Sequence, residues 1–225
     1  MIDLYFWPTP NGYKPLIFCE ETGIDYQIKP VNIGDGDQFD PEFLKISPNN
    51  KMPSMVDHDP IQGGGPQSVF ESGAMLIYMA DKTEKLLLQG RDRYDVLQWV
   101  FWQVGSLGPM KGQAHHFWNH IDQDVEYAKK RYRDETLRLI KVLEGQLKDR
   151  DYICGNAYTI ADIMSFPWLK SVEGLDIDMK DYTNVSNWIE RINQRDAVHR
   201  AYDIGEAVGE GKEMTEEGRK LLFGT

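Results

Sequence analysis

The chain contains 225 residues, of which 41% are hydrophobic and 27% are charged, a balance typical of globular proteins. The formal net charge of −11 argues against a nucleic-acid partner and against an anionic membrane surface, because both bind basic proteins. No apolar run is long enough to cross a bilayer, and the N-terminal residues lack the pattern of a signal peptide. The two cysteines, Cys19 and Cys154, lie far apart, which favours a reducing, cytoplasmic location over a disulfide framework.

The first 83 residues predict a small α/β domain. Short aromatic or β-branched runs bounded by turn residues predict strands, and apolar residues at helical spacing predict helices. The expected strands cover residues 3–7, 26–31, 54–57 and 68–70, and the expected helices cover residues 11–22, 41–46 and 71–83. The resulting order, β-α-β-α-β-β-α, predicts a compact mixed sheet with helices packed over it.

The rest of the chain predicts an all-helical domain. The strand signal is lost after residue 88, and the expected helices cover residues 91–120, 123–148, 159–172 and 185–194. Gly108-Pro109 is expected to kink the first of these helices. We therefore expect an α/β domain at 1–83, a helical bundle at 90–202 and, because it is charged and contains glycine, a peripheral tail at 203–225.

A proline stands just ahead of the third expected strand, in Met52-Pro53. A trans bond that merely starts the strand is favoured by spacing alone, because only about 5% of X–Pro bonds are cis. The alternative is a cis bond that turns the backbone of Met52 outward, where an extended peptide could pair with it as an added strand.

Glu71-Ser72 begins the third expected helix. Both residue types satisfy the first N–H groups of a helix and suit its dipole, so helix capping explains them in isolation. The same groups can instead bind a ligand, with Ser72 and the helix N–H groups holding a carboxylate and Glu71 holding an ammonium group. An α-amino acid end carries both charges, which makes the γ-glutamyl head of glutathione the first ligand to consider.

These motifs resemble a known family. The β-α-β-α-β-β-α half, Lys51-Met52-Pro53-Ser54 and Glu71-Ser72-Gly73-Ala74 are similar to the thioredoxin-like domain of cytosolic glutathione transferases, and the long helices resemble their all-α domain. Thr159-Ile160-Ala161-Asp162 matches the family's N-capping box. The resemblance covers about residues 1–202.

A finer resemblance is to the bacterial Nu class, which contains glutathione-dependent disulfide-bond oxidoreductases. It rests on the runs Thr9-Pro10-Asn11-Gly12, Gly36-Asp37-Gln38-Phe39, Ile46-Ser47-Pro48-Asn49-Asn50-Lys51, Phe101-Trp102-Gln103, Leu107-Gly108-Pro109-Met110 and Gly112-Gln113-Ala114-His115-His116-Phe117. Met52 stands where isoleucine is more usual, which matters little if only its backbone binds.

The resemblance implies a mechanism in which glutathione supplies the reactive sulfur. Thr9 and Asn11, before the first helix, would stabilise the glutathione thiolate through hydrogen bonds and the helix dipole. The alternative is that both residues simply cap that helix. The implied reaction is thiol–disulfide exchange with glutathione as co-substrate, so neither cysteine is expected to take part.

The resemblance also implies a set of glutathione-binding residues. Gln38 and Lys51 would contact the glycyl end or backbone of glutathione, and Arg131 would help to hold a second glutathione. A surface pair with Glu135 is the alternative for Arg131. The complete binding set is Gln38, Asn49, Lys51, Met52, Pro53, Glu71, Ser72 and Arg131.

Several wider expectations follow. His116 and His120 have the spacing of a helical metal pair, but no acidic or cysteine ligand is assigned beside them, so no metal is expected. The expected partners are glutathione, a small disulfide or electrophile, and a second copy of the chain in a homodimer. Conjugation of electrophiles is the enzymatic alternative, and a non-catalytic protein-interaction module is the alternative from another class.

Overall fold

The computed structural model describes residues 1–170, 172, 174–212 and 215–223. The strands are β1 (Ile2–Phe6), β2 (Tyr26–Pro30), β3 (Ser54–Asp57) and β4 (Gln67–Phe70). The helices are α1 (Pro10–Thr22), α2 (Pro41–Ile46), α3 (Ser72–Thr83), α4 (Asp92–Trp102), α5 (Gly108–His115), α6 (Glu126–Gln146), α7 (Ile160–Leu169), α8 (Thr183–Asn193), α9 (Asp196–Gly209) and α10 (Glu216–Phe223). Short 3₁₀ turns cover Asp37–Phe39 and Met179–Asp181, and π-helical turns cover Gln103–Leu107 and His116–His120.

The chain packs as two compact units. The first contains Met1–Lys85 together with Asp196–Thr225, and the second contains Leu86–Arg195. The boundary expected at residue 203 therefore falls inside α9, and the segment expected as a peripheral tail packs with the first unit. The physical reason is the buried face of α9, which the charged residues around it conceal in the sequence.

The first unit is built on a four-stranded mixed sheet. The strand order is β2-β1-β3-β4, with β1 parallel to β2 and antiparallel to β3, and β3 antiparallel to β4. Alternate residues of β1, namely Ile2, Leu4 and Phe6, are fully buried, as expected of a central strand. The predicted β-α-β-α-β-β-α order and the thioredoxin-like arrangement are confirmed.

Helix α1 is fixed at both ends by local chemistry. The Thr9 side chain caps its N-terminus, and Gly23 ends it in the left-handed conformation at φ 70°. Pro15 lies within the helix, in its second turn, where the ring is accommodated. The apolar face of α1 packs against α3 and α9, which holds the N-terminal end of the helix in place.

Helix α9 covers α1 and the loop that leads into it. Tyr202 stacks on Tyr13 with ring centroids 4.0 Å apart. A Cβ atom at Gly205 would lie 2.7 Å from Cζ of Tyr13, so this close approach requires glycine. Further along α9, Val208 packs against the cluster that contains Trp7 and Met52.

Lys212 and the described residues 215–223 continue this packing. The ammonium group of Lys212 lies 5.2 Å from the ring centroid of Trp7. The Thr215 hydroxyl donates to the carbonyl oxygen of Gly34 at 3.5 Å, and a Cβ atom at Gly218 would lie only 2.9 Å from Cα of Gly34. The described C-terminal residues thus contact both the loop that follows β1 and the loop that follows β2.

The second unit is helical and centres on α7. The carboxylate of Asp162 accepts hydrogen bonds from the backbone N–H groups of Thr159 and Ile153 and from Nε1 of Trp188, each at 2.9 Å. Burial raises the pKa of Asp162 to about 6, and the hydrogen bonds oppose that rise. The predicted capping box at Thr159 and Asp162 is present.

The helix expected over residues 91–120 is divided by its two π-helical turns. The Gly108 N–H donates to the Gln103 carbonyl, five residues earlier, and Pro109 has no N–H to continue the α-helical pattern. At the position of the expected kink, the α-helical hydrogen-bond pattern changes to a π-helical one. Within the described residues, no helix is both long and apolar enough to cross a membrane.

Candidate functional site

The loop between β1 and α1 presents a hydroxyl and an amide at the start of the helix. The Thr9 hydroxyl oxygen accepts the Gly12 N–H at 3.1 Å, which is the capping bond. The Thr9 hydroxyl also donates to Sδ of Met52 at 3.5 Å. A thioether is a weak acceptor, so a thiolate placed beside Thr9 would attract that proton more strongly. Capping and a role at the sulfur are therefore compatible for Thr9.

Gly12 allows this loop to pack tightly against Met52. A Cβ atom at residue 12 would lie 2.9 Å from Cε of Met52 and 3.2 Å from the ring of Phe6. Both distances are shorter than a relaxed carbon contact, so a side chain here would push the loop away from Met52.

A buried lysine lies beneath the loop, and sequence reasoning did not identify it. Lys14 is 2% exposed, and its Nζ donates to Oδ1 of Asn11 at 2.9 Å and to Oγ of Ser72 at 3.5 Å. Burial lowers the pKa of the Lys14 ammonium group from 10.5 to about 7, and attraction to Glu71 partly opposes that fall. Lys14 precedes the apolar run Leu16-Ile17-Phe18-Cys19, and that position in the sequence does not by itself indicate burial.

The start of α3 tests whether Glu71 caps the helix with its side chain. Glu71 is the N-cap residue, but its side chain makes no capping hydrogen bond. Its backbone has φ 68° and ψ 114°, a region that costs a non-glycine residue about 1–3 kcal/mol. The Glu71 side chain thus makes no capping hydrogen bond, and its ligand role stays a prediction.

Met52-Pro53 has a cis peptide bond, which is the alternative that spacing alone disfavoured. The loop before it is fixed by the Ser47 hydroxyl, which donates to the carbonyl oxygen of Lys51 at 2.7 Å. Asn49, Lys51, Met52 and Pro53 line one side of a cavity, and Glu71 and Ser72 at the start of α3 line another part of it.

The cavity has a volume of about 180 Å³ and brings together most of the predicted site residues. Its lining contains Asn11, Ser47, Asn49, Lys51, Met52, Pro53, Phe70, Glu71 and Ser72. Ser47 and Phe70 are additions that sequence reasoning missed, since neither residue type indicates a ligand by itself. Within the described residues, no cluster of three or more His, Cys, Asp or Glu side chains could hold a metal ion.

Three predicted residues lie outside this cavity lining: Thr9, which contacts it through Sδ of Met52, Gln38 and Arg131. Gln38 is only 4% exposed, and its Nε2 donates to the carbonyl oxygen of Ile33 at 3.4 Å. Arg131 is exposed on α6 of the second unit. Glu135, its alternative partner, is bonded to Arg138 through both carboxylate oxygens, at 2.8 and 2.9 Å. The ligand roles of Gln38 and Arg131 stay predictions.

Neither cysteine has the character of a nucleophile. Cys19 is buried, and burial raises the pKa of its thiol. Burial, and then the Asp162 carboxylate, raise the pKa of Cys154 to about 12. A thiol with a raised pKa is scarcely ionised at neutral pH, so neither side chain supplies a reactive thiolate.

The comparisons with known proteins identify the family. Residues 1–81 match "Glutathione S-transferase, N-terminal domain", and residues 95–196 match "Glutathione S-transferase, C-terminal domain". The chain is 51% identical over 202 residues to the disulfide-bond oxidoreductase YfcG of Escherichia coli strain K12, which covers 89% of this chain and 94% of YfcG. The protein therefore belongs to the glutathione S-transferase family, which confirms the broader of the two resemblances found in the sequence.

Solved structures of glutathione transferases have the same fold as this chain. A glutathione transferase from Burkholderia graminis, with two glutathione molecules bound per subunit, has a TM-score of 0.86 at 38% identity and covers 94% of this chain and 89% of its own. A glutathione transferase from Pseudomonas putida, with one glutathione disulfide bound per subunit, has a TM-score of 0.84 at 37% identity and covers 90% of this chain and 91% of its own.

Proposed function

We propose that this protein reduces small disulfides with glutathione, which it binds as a thiolate in the cavity between the Met52-Pro53 loop and the start of α3. The observation that carries this proposal is the convergence of Asn11, Met52, Glu71 and Ser72 on one cavity. The 51% identity to a disulfide-bond oxidoreductase supports the choice of reaction.

The cavity offers complementary groups for the backbone of glutathione. The Glu71 carboxylate would bind the α-ammonium group of the γ-glutamyl head, and Ser72 with the N–H groups of α3 would bind its carboxylate. The backbone of Met52 would pair with the cysteinyl residue as an added strand. Asn49 and Lys51 lie at the same opening, where the Lys51 ammonium group can meet the glycyl carboxylate.

This orientation directs the sulfur to Thr9 and Asn11, which would stabilise it as a thiolate. The thiolate attacks one sulfur of the disulfide, a new S–S bond to glutathione forms, and the other half leaves as a thiolate that takes up a proton. The thiolate of a second glutathione attacks the mixed disulfide, which releases glutathione disulfide and the second substrate thiol. The two electrons come from two glutathione molecules, so no protein cysteine is needed.

We place the second glutathione near Arg131. The Burkholderia graminis relative binds two glutathione molecules per subunit, and Arg131 is an exposed cation. Glu135 forms its hydrogen bonds with Arg138 and interacts with Arg131 only electrostatically. The sequence runs shared with the Nu class, such as Thr9-Pro10-Asn11-Gly12, support assignment to that class. The free thiols of both cysteines support a cytoplasmic location, which cell fractionation would test.

A comparison of two co-substrates tests the proposed reaction. At equal glutathione concentration we expect bis(hydroxyethyl) disulfide to be turned over faster than the aromatic chloride chlorodinitrobenzene. Replacement of both Cys19 and Cys154 by alanine should leave the disulfide rate intact, because neither thiol is part of the scheme. Faster turnover of the chloride would favour conjugation, and turnover of neither would favour a binding module. Loss of the disulfide rate in the cysteine variant would implicate a protein thiol.

We also propose that the protein is a homodimer. Tyr94 and Phe101, which are 72% and 64% exposed, lie two turns apart on α4, and Val104 continues the apolar stripe. An exposed stripe of this kind favours burial against a second copy. Light scattering should give twice the chain mass of 26.0 kDa. Phe101→Glu should lower that mass, whereas Tyr127→Glu, at another exposed aromatic residue, should not.

A further inference from the structure

We propose that Lys14 is a positioning residue that links the two ends of the glutathione site. In this role it orients the Asn11 amide toward the glutathione sulfur, holds the Ser72 hydroxyl at the γ-glutamyl head, and stabilises the thiolate with its buried charge. The inference rests on the proposed function, because it assigns a role within the same cavity.

The contacts of Lys14 define this role. Its Nζ is 2.9 Å from Oδ1 of Asn11 and 3.5 Å from Oγ of Ser72, and both partners line the cavity. An ammonium group can only donate, so it fixes the amide of Asn11 with the oxygen toward Lys14. The amide N–H₂ group then points away from Lys14 and can donate to a thiolate. The same contact leaves the Ser72 hydroxyl proton available to a ligand carboxylate.

The burial of Lys14 favours a functional role for its charge over a purely structural one. A lysine that is 2% exposed loses the solvation of its ammonium group, and folding alone would favour an apolar side chain at this place. Glu71, from the start of α3, is a charged group that acts on Lys14 and favours its protonation. From α9, Glu206 and Tyr202 lie near Tyr13, the residue before Lys14. A bound thiolate would add a second negative charge next to this buried cation.

Two charges that stabilise each other shift each other's pKa. If Lys14 lowers the thiol pKa of bound glutathione, the thiolate must raise the Lys14 pKa by the same amount, because linkage between two sites is reciprocal. A residue with a merely structural role would show neither shift.

The first experiment replaces Lys14 by methionine, which fills a similar volume without charge. We expect the thiol pKa of bound glutathione, followed by thiolate absorbance, to rise by about one unit, since a nearby opposite charge typically shifts a pKa by about 1–3 units. Lys111→Met is the matched control, because Lys111 is also 2% exposed but lies in the helical unit. An unchanged thiol pKa in Lys14→Met, or an equal rise in Lys111→Met, would overturn the proposal.

The second experiment uses the wild-type protein and holds even if Lys14→Met does not fold. The ε-carbon resonance of Lys14, assigned by its absence in Lys14→Arg, is titrated with glutathione and with S-methylglutathione bound. We expect a higher Lys14 pKa with glutathione, because S-methylglutathione keeps the head group but cannot form a thiolate. Equal pKa values with both ligands would refute the link.

These results separate the inference from the function on which it rests. If neither ligand binds to the wild-type protein, the proposed function fails. If both bind and disulfide is reduced while the two pKa values are uncoupled, only the role of Lys14 fails.

Discussion

Replacement of Glu71 by glutamine is expected to weaken glutathione binding about 10- to 100-fold and to leave the fold intact. A hydrogen bond to a charged group contributes about 1.5–3 kcal/mol, and each 1.4 kcal/mol is about tenfold in affinity. The Glu71 side chain makes no capping bond, so its removal costs α3 little. Adding Ser72→Ala should bring binding below detection by calorimetry.

Glu84→Gln is the matched control, because Glu84 stands at the opposite end of the same helix. Its glutathione affinity should equal that of the wild type. Unchanged affinity in Glu71→Gln would show that the ligand head lies elsewhere.

The strained backbone at Glu71 extends this prediction to stability. Glycine accepts a positive φ without the steric cost that Glu71 bears, so Glu71→Gly should raise the free energy of unfolding by about 1 kcal/mol while it removes glutathione binding. Glu84, at φ 56°, is also left-handed, so Glu84→Gly should stabilise the protein similarly and keep binding. Urea unfolding with calorimetry measures both properties. A destabilised Glu71→Gly would mean that the backbone there is not strained.

Removal of the polar groups at the start of α1 is also expected to have a large effect on catalysis. Thr9→Val combined with Asn11→Ala is expected to raise the thiol pKa of bound glutathione and to lower kcat/KM for the disulfide about 100-fold or more, because each hydrogen bond to a charged group contributes about 1.5–3 kcal/mol. Each single variant should lose about tenfold or more on the same basis. The pH dependence of the disulfide rate measures the shift.

Capping must be separated from catalysis in this experiment, since Thr9 also caps α1. Thr159→Val provides the comparison, because Thr159 caps α7 in the helical unit. Both variants should lose about 1 kcal/mol of stability from the missing cap. Only Thr9→Val should change the thiol pKa, and Thr9→Ser should restore it. A thiol pKa that is the same in Thr9→Val and in the wild type would remove Thr9 from the sulfur site.

The sequence predicts the first unit of the fold well because its signals are local. Strand β3 has the predicted bounds, α1 ends at the predicted residue 22, and Thr9 caps α1, which was one of the two alternatives. Helix α9 was missed because Gly205 and Gly209 read as helix breakers in isolation. In the folded protein Gly205 is part of the helix, because the absence of a side chain there makes room for the ring of Tyr13.

The candidate site likewise contains residues that the sequence predicts and residues that it does not. Residues that act through their own type and position, such as Glu71 and Asn11, could be predicted, and both line the cavity. Lys14 could not, because its burial and its contact with Ser72 join residues 58 positions apart in the chain. The cis bond at Met52-Pro53 also depends on tertiary packing, which is why base rates favoured the other isomer.

The discontinuous make-up of the first unit has a consequence for the order of events on the ribosome. Met1–Lys85 emerges early, but its partner segment, Asp196–Thr225, is synthesised after the whole helical unit. Until this segment has been synthesised, Tyr13 on α1 lacks its stacking partner Tyr202, and the loop at Gly34 lacks its contact with Gly218. A nascent chain that stops before residue 196 has every residue of the cavity lining but lacks the helix that packs on α1, so the first unit completes its packing only after the helical unit has been synthesised.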